Sequence, residues 1–333
     1  MTSKKAETIL GHCFICNELV ILWHRHYLNI DITMYSSVLK SSVYLTSFML
    51  VIRSNALVDE TWEVVTVQNG SIRGELKTNT LFSDSDYYAF HAVPYADPPL
   101  GTLRFKLPEP YSKSYGNSTH PYDASNPYVK KVCPQLKEGN FIDEESMDED
   151  CLHLSVYRPA SVNDSLPVLV WIHGGHFEYG SGMHQYFGPQ RFMKDQDIIM
   201  VSINYRLGAL GFLSLGNPEL PGNAGFWDQV WALKWVQSNI EGFGGDPNMV
   251  TIMGEDAGSW SVMYQLLSPQ SAGLFKRVIS QSGTPMSPAY HEYSEEKAKK
   301  YVVLKYTFLN ILFITKHSTH KIIYILFSIG MGR

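Results

Sequence analysis

The chain has 333 residues, of which 44% are apolar and 18% charged, a globular composition that argues against wholesale disorder. Its net charge of −5 is too small to point to nucleic acid or an anionic membrane as partner. No internal repeat stands out at solenoid periods, so composition excludes classes without selecting a function.

In chain order, the first feature is a leader-like segment beginning at Met34. Lys40 supplies a positive n-region, Val43 to Ile52 are mostly apolar, and Ser54-Asn55-Ala56 offers a small-x-small cleavage site. That apolar run is too short to span a bilayer, so residues 34–56 are read as a signal peptide and no membrane span is expected. Residues 1–33 then precede the expected true start as a mis-assigned extension. Cys13 and Cys16 within them have no second cysteine pair nearby and no βαβ context, so they are read as coincidence, and no metal site is expected. Three sequons agree with secretion: Asn69-Gly70-Ser71, Asn117-Ser118-Thr119 and Asn163-Asp164-Ser165.

From Glu63 onward strand-like and helix-like patterns alternate. Residues 63–75 read as a hairpin around Asn69-Gly70. Cys151 to Tyr157 alternates with period two, whereas 167–173 and 198–205 are denser apolar runs, as expected of strands covered on both faces. Apolar residues at 226, 230, 233, 236 and 240 form a helical stripe. A strand at 250–253, a helix at 257–267 and a strand at 275–280 follow. Short strands followed by helices predict an α/β fold on a mostly parallel central sheet with helices on both faces. From Tyr301 to Arg333 there is no Asp, Glu, Gln or Pro, and Lys305, Lys316, His317, His320 and Lys321 break the apolar stretches below membrane length. This tail is expected to be translated non-coding sequence or a truncated isoform's end.

Chemistry concentrates in two motifs. Gly254-Glu255-Asp256-Ala257-Gly258 lies between a strand and a helix, a nucleophile-elbow pattern G-x-S-x-G with Asp in the middle. The glycines are required because side chains two residues either side of so sharp a turn would collide. Upstream, His173-Gly174-Gly175-His176-Phe177 closes an apolar strand. A loop of this kind supplies backbone N–H groups to an oxyanion hole, joined by the residue after the nucleophile, which assigns the donors to Gly175, His176 and Ala257. The His176 imidazole would either crowd the pocket or point away as ordinary packing, and the second is expected.

With these two motifs stand Pro98-Pro99-Leu100-Gly101, Arg104-Phe105, Glu149-Asp150-Cys151-Leu152, Asn204-Tyr205-Arg206, Asn223-Ala224-Gly225, Asp228-Gln229, Phe243-Gly244-Gly245-Asp246-Pro247 and Ser280-Gln281-Ser282-Gly283. In this order they resemble the type-B carboxylesterase and cholinesterase family over roughly residues 62–300, its N-terminal half. The resemblance implies the α/β-hydrolase fold without its C-terminal part, no cofactor, a Cys133–Cys151 disulfide and an Arg104–Glu149 ion pair. A bridge of that span is worth about 3 kcal/mol by loop entropy and suits an extracellular protein.

Three departures change the functional expectation. Asp256 replaces the serine that would form an acyl-enzyme; a carboxylate is already anionic, and its attack on an ester would give a reactive anhydride. Its charge would also sit beside a hole meant for a developing oxyanion, while Asp tolerates left-handed backbone well enough to keep the elbow. The family's acid and histidine lie downstream of the matched half, and His291 matches no family motif. The loop between Cys133 and Cys151 has Phe141 as its only aromatic and no Trp, which disfavours recognition of a quaternary ammonium. The expectation is a secreted, catalytically inactive member acting through an extracellular protein partner. The alternatives are a carboxylic-ester hydrolase represented by a truncated or erroneous gene model, with Glu255 bordering a site for a small ester, or an Asp256-nucleophile hydrolase of epoxides or halides.

Overall fold

The structure is a computed structural model that describes residues 62–78, 86–126, 131–135, 146–161, 165–183, 188–195 and 197–284, plus two short strands upstream. Those two, Ile32–Thr33 and Val51–Ile52, pair antiparallel within the unit Met1–Glu60. The expected leader is otherwise outside the described residues, as are Cys13, Cys16, Asn163, Phe141, His291 and the tail from 301 to 333.

The second unit, Thr61–Arg333, is organised by one nine-stranded sheet. Its strands are β1 (Trp62–Val67), β2 (Gly70–Lys77), β3 (Tyr87–Pro94), β4 (Tyr122–Asp123), β5 (His153–Pro159), β6 (Leu166–Ile172), β7 (Ile199–Ile203), β8 (Gly245–Glu255) and β9 (Arg277–Gln281). Across the sheet they run β9-β8-β6-β7-β5-β3-β2-β1, with β4 added on β2. The block β9-β8-β6-β7 is parallel, while β7-β5-β3-β2-β1 continues antiparallel. The parallel sheet expected from the alternating pattern is therefore one half of a mixed sheet.

Hydrophobic patterning explains the layers. In β6 and β7 every residue from Val168 to Ile172 and from Ile199 to Ile203 is buried, because both faces are covered. One face sends Val168, Val170, Ile172, Ile199, Val201 and Ile203 into the main core, where Leu233 and Val236 of helix α3 (Ala224–Asn239) and Val262 of helix α4 (Ala257–Leu267) meet them. The opposite face carries Tyr157, Trp171 and Met200, capped by Met193 of helix α1 (Gln190–Asp195). Each fully buried Val or Ile contributes roughly 1.5–3 kcal/mol, so these two strands anchor everything built at their C-terminal ends. A five-residue helix α2 (Gly208–Phe212) follows β7. No helix among the described residues is long and apolar enough to cross a membrane.

The hairpin β1–β2 turns one residue earlier than expected: Val67 pairs with Gly70, and Gln68-Asn69 form the loop. Gly70 has a different task. Its φ is +132°, and a Cβ there would lie 2.5 Å from the Gly116 carbonyl oxygen of the chain crossing over it.

At the other end, β9 is mostly exposed along its length. Nearby, Leu266 and Leu267 at the end of α4 are exposed too.

Candidate functional site

Strand β8 ends at Glu255, α4 begins at Ala257, and Asp256 makes the turn between them with φ 52° and ψ −121°. A left-handed φ on a non-glycine residue costs about 1–2 kcal/mol, so surrounding contacts must hold it. The Asp256 N–H donates to the Gln281 carbonyl of β9 at 3.1 Å, and the Asp256 carbonyl accepts from Trp260 N–H at 3.1 Å. Sterics impose the flanking glycines: a Cβ on Gly254 would lie 2.2 Å from Gly258 O, and one on Gly258 would lie 2.1 Å from Ile172 O.

The glycine loop leaves β6 and comes back against this turn. Gly175, His176 and Phe177 have φ of +104°, 54° and 62°, three successive left-handed residues. That conformation turns consecutive N–H groups toward one point and makes a backbone anion nest. The point is filled. Oδ2 of Asp256 accepts from Gly175 N–H at 2.8 Å and from His176 N–H at 3.0 Å. The Ala257 N–H, at the start of α4, also favours the charged form of this carboxylate. The expected donors are thus brought together around Asp256 itself, and its charge lies within the hole where it was expected beside it.

The electrostatics follow from the geometry. Burial pushes the Asp256 carboxyl up, but the N–H groups of Ala257, His176 and Gly175, with the nearby imidazole, outweigh it and hold the group below the ordinary Asp range. Burial and the adjacent negative charge of Asp256 push Glu255 the other way, with His176 opposing. The His176 ring did not pack away. Its side chain is 62% exposed, with Nε2 3.8 Å from Asp256 Oδ1 and Nδ1 3.3 Å from the Tyr179 hydroxyl.

Around the loop lies a supporting shell. Phe177 packs against Phe212, Phe226 and Trp260 with ring centroids 5.1, 5.4 and 5.9 Å away, and its carbonyl accepts from Gly208 N–H at 2.7 Å. His173 stacks on Tyr205 at 4.4 Å, and the Tyr205 hydroxyl donates back to the His173 carbonyl at 3.0 Å. Gln135 donates to the Gly180 carbonyl at 2.8 Å and accepts from Gly180 N–H at 2.7 Å, tying the loop's far end to the cysteine loop. Asn204 fixes the same junction, accepting from Ser181 Oγ and Gly182 N–H while donating to the carbonyls of Lys131 and Cys151. Gln135 and the Phe177 ring contacts are not legible in the sequence, because a lone Gln and scattered aromatics carry no periodic signal.

Other sequence-selected residues stand farther away. Cys133 and Cys151 form a disulfide with Cα atoms 5.0 Å apart. Arg104 donates to Glu149 through Nε at 2.5 Å and Nη2 at 2.7 Å. Arg206 and Asp228 form a buried pair, with Nη2 to Oδ1 at 2.6 Å and Nε to Oδ2 at 2.8 Å. Asn69 and Asn117 are exposed; Asn69 donates to the Lys113 carbonyl, and Asn117 Oδ1 accepts from the Thr119 hydroxyl at 2.7 Å.

A parallel-strand block, a strand–elbow–helix at its C-terminal edge and a glycine loop donating to the elbow residue define an α/β-hydrolase-type site. The profile of the carboxylesterase family matches residues 61–310, and the chain belongs to that family. Its relatives include a venom carboxylesterase-6 of Apis mellifera, 43% identical over 71% of this chain and 41% of its own. A juvenile hormone esterase of Tribolium castaneum is 43% identical over 67% of this chain and 37% of its own. A cholinesterase of Mus musculus is 39% identical over 72% and 40%. The chain therefore spans about two-fifths of the length of the curated relatives it matches.

Proposed function

We propose that this chain is a non-hydrolytic extracellular member of the carboxylesterase family that acts by binding a protein partner. One observation carries the reading: the elbow residue is a carboxylate whose Oδ2 already takes the N–H groups of Gly175 and His176. An ester would need a neutral nucleophile at that position and vacant donors for its carbonyl oxygen. Asp256 offers neither. It cannot pass a proton to a base as a serine does, and attack through Oδ1 on an ester would leave an anhydride.

The extracellular assignment is supported by the Cys133–Cys151 bridge, by exposed sequons at Asn69 and Asn117, and by kinship with a protein named for venom. Small esters are the substrate class of the family, and they serve as probes here. The test is an assay of the purified chain with p-nitrophenyl acetate and butyrate, styrene oxide, and a fluorescent organophosphonate. Silence in all of them is the expected result. Ester turnover blocked by the organophosphonate would reinstate a serine hydrolase, and epoxide turnover would make Asp256 the nucleophile.

A further inference from the structure

The three left-handed residues of the glycine loop raise a question of cause. His176 and Phe177 are not glycines, yet both hold positive φ within a turn that belongs to no strand or regular helix. Phe177 is pinned by its aromatic neighbours. His176 has an exposed side chain, and its N–H points at Asp256. The turn is closed on its carbonyl side by Glu178 N–H and Tyr179 N–H, which donate to Gly175 O at 2.9 and 3.1 Å, and on its N–H side it is held by the carboxylate.

We infer that the loop Gly174–Phe177 and the first turn of α4 form a receptor for a monocarboxylate, which this chain fills with its own Asp256 side chain. The inference rests on the non-hydrolytic reading of the same elbow and adds a ligand class and a structural role to it. The fit is to a single acceptor oxygen, and a negative charge on it strengthens the bonds. Gly175 N–H and His176 N–H converge on the single atom Oδ2 at 2.8 and 3.0 Å, and Ala257 N–H favours the same charge from the helix start. Gly174 has no room for a side chain, since a Cβ would meet Glu255 O at 2.6 Å, Asp256 Cβ at 3.0 Å and Oδ2 at 3.2 Å. A glycine there lets the carboxylate come down onto the loop. Oδ1 faces the His176 imidazole at 3.8 Å, so the second oxygen is met by a donor-bearing ring. Charge-assisted bonds to a preformed nest are the strong kind, and the Asp256 tether means that no translational freedom is lost in forming them.

Two consequences follow. The loop of the intact chain is closed to external anions, because its donors are already used. Truncating the side chain should open the receptor, and acetate has the size and charge of the part removed.

Thermal melts of the full chain, Asp256→Ala and Asp256→Asn in sodium acetate and in sodium chloride of equal ionic strength test this. Asp256→Ala should melt lower than the parent and recover with acetate, along the curve of a saturable single site. The parent should show no acetate-specific shift. Asp256→Asn keeps an oxygen in the nest and should also ignore acetate. If Asp256→Ala accumulates only as aggregate, its refolding yield from denaturant in acetate against chloride carries the same comparison. The inference is overturned if Asp256→Ala melts with the parent, if acetate leaves it unmoved, or if acetate raises all three proteins alike. Esterase activity in the parent would instead sink the non-hydrolytic reading, so the two failures are told apart.

Discussion

Two aspartates in this chain are held by opposite strategies. Asp228 of α3 is fully buried and faces a single countercharge, Arg206, whose side chain is only 3% exposed. Asp256 sits at a partly open edge and is held by neutral backbone dipoles. The first arrangement removes two charges from water together, so each is tolerable only while the other is present. The second leaves one charge partly solvated and lets the fold's own N–H groups stabilise it. A buried pair is fragile to the loss of either partner, whereas a nested carboxylate loses only its own bonds.

The sharpest way to break this contrast is Arg206→Met. It leaves Asp228 buried, with the Arg206 N–H at 3.0 Å as its remaining backbone donor and no countercharge. Loss of roughly 3–5 kcal/mol is expected, read as a large fall in the denaturant midpoint. Asp256→Ala removes hydrogen bonds to a charged acceptor but strands no charge, and roughly 1.5–3 kcal/mol is expected. Equal losses in the two variants would erase the distinction.

A third buried ionisable group sharpens it through pH. His153 at the start of β5 is buried with Nδ1 unpartnered, and Nε2 lies 3.7 Å from Asp150 Oδ1. Burial drives its imidazole down to about 4; Asp150 and Asp148 oppose this, and Lys131 adds to it. The native ring is therefore neutral, while the unfolded chain takes up a proton below about 6.5. The stability held by the neutral ring is complete above that value and is lost progressively as pH falls toward 4. His153→Leu should flatten the melting profile across that window. Asp256 acts lower: its depressed carboxyl keeps its contribution above the ordinary Asp range and loses it as pH falls through the native value. Asp256→Asn should change the profile only in that more acidic region, which separates a buried base from a nested acid.

How much of this could be read from the residues depended on whether a local rule was at work. Glycine sterics made the elbow legible, since Gly254 and Gly258 each face a carbonyl closer than a Cβ allows. The parallel core strands were legible as unbroken apolar runs, and α3 by its stripe, although it starts at Ala224 and buries Asp228 and Gln229 as well. Strand β3 was not legible in this way. Its sequence YYAFHAVP does not alternate, because a bulge between Phe90 and Val93, with Ala92 at φ 51°, shifts which side chains point inward. The helices at 190–195 and 208–212 are too short for a period to register. The position of the Asp256 carboxylate was beyond local rules: it depends on one backbone angle and on a loop about eighty residues upstream.

The smallest expected effect is the most diagnostic of the three ways to hold a carboxylate. Arg104 and Glu149 make a two-bond fork, but the Arg104 side chain is 40% exposed and water competes for it. Exposed pairs of this kind are typically worth about 0.2–1 kcal/mol, so Arg104→Ala should lower stability by no more than that. Salt then distinguishes the mechanisms. At 1 M ionic strength the Debye length shrinks to about 3 Å, and the stability gap between the parent and Arg104→Ala should narrow. The gap opened by Arg206→Met should not, because counterions cannot reach a pair enclosed between α3 and the end of β7. An Arg104→Ala gap that persists in high salt would mean that Glu149, at 13% exposure, belongs with Asp228 among the carboxylates that depend on a single cation.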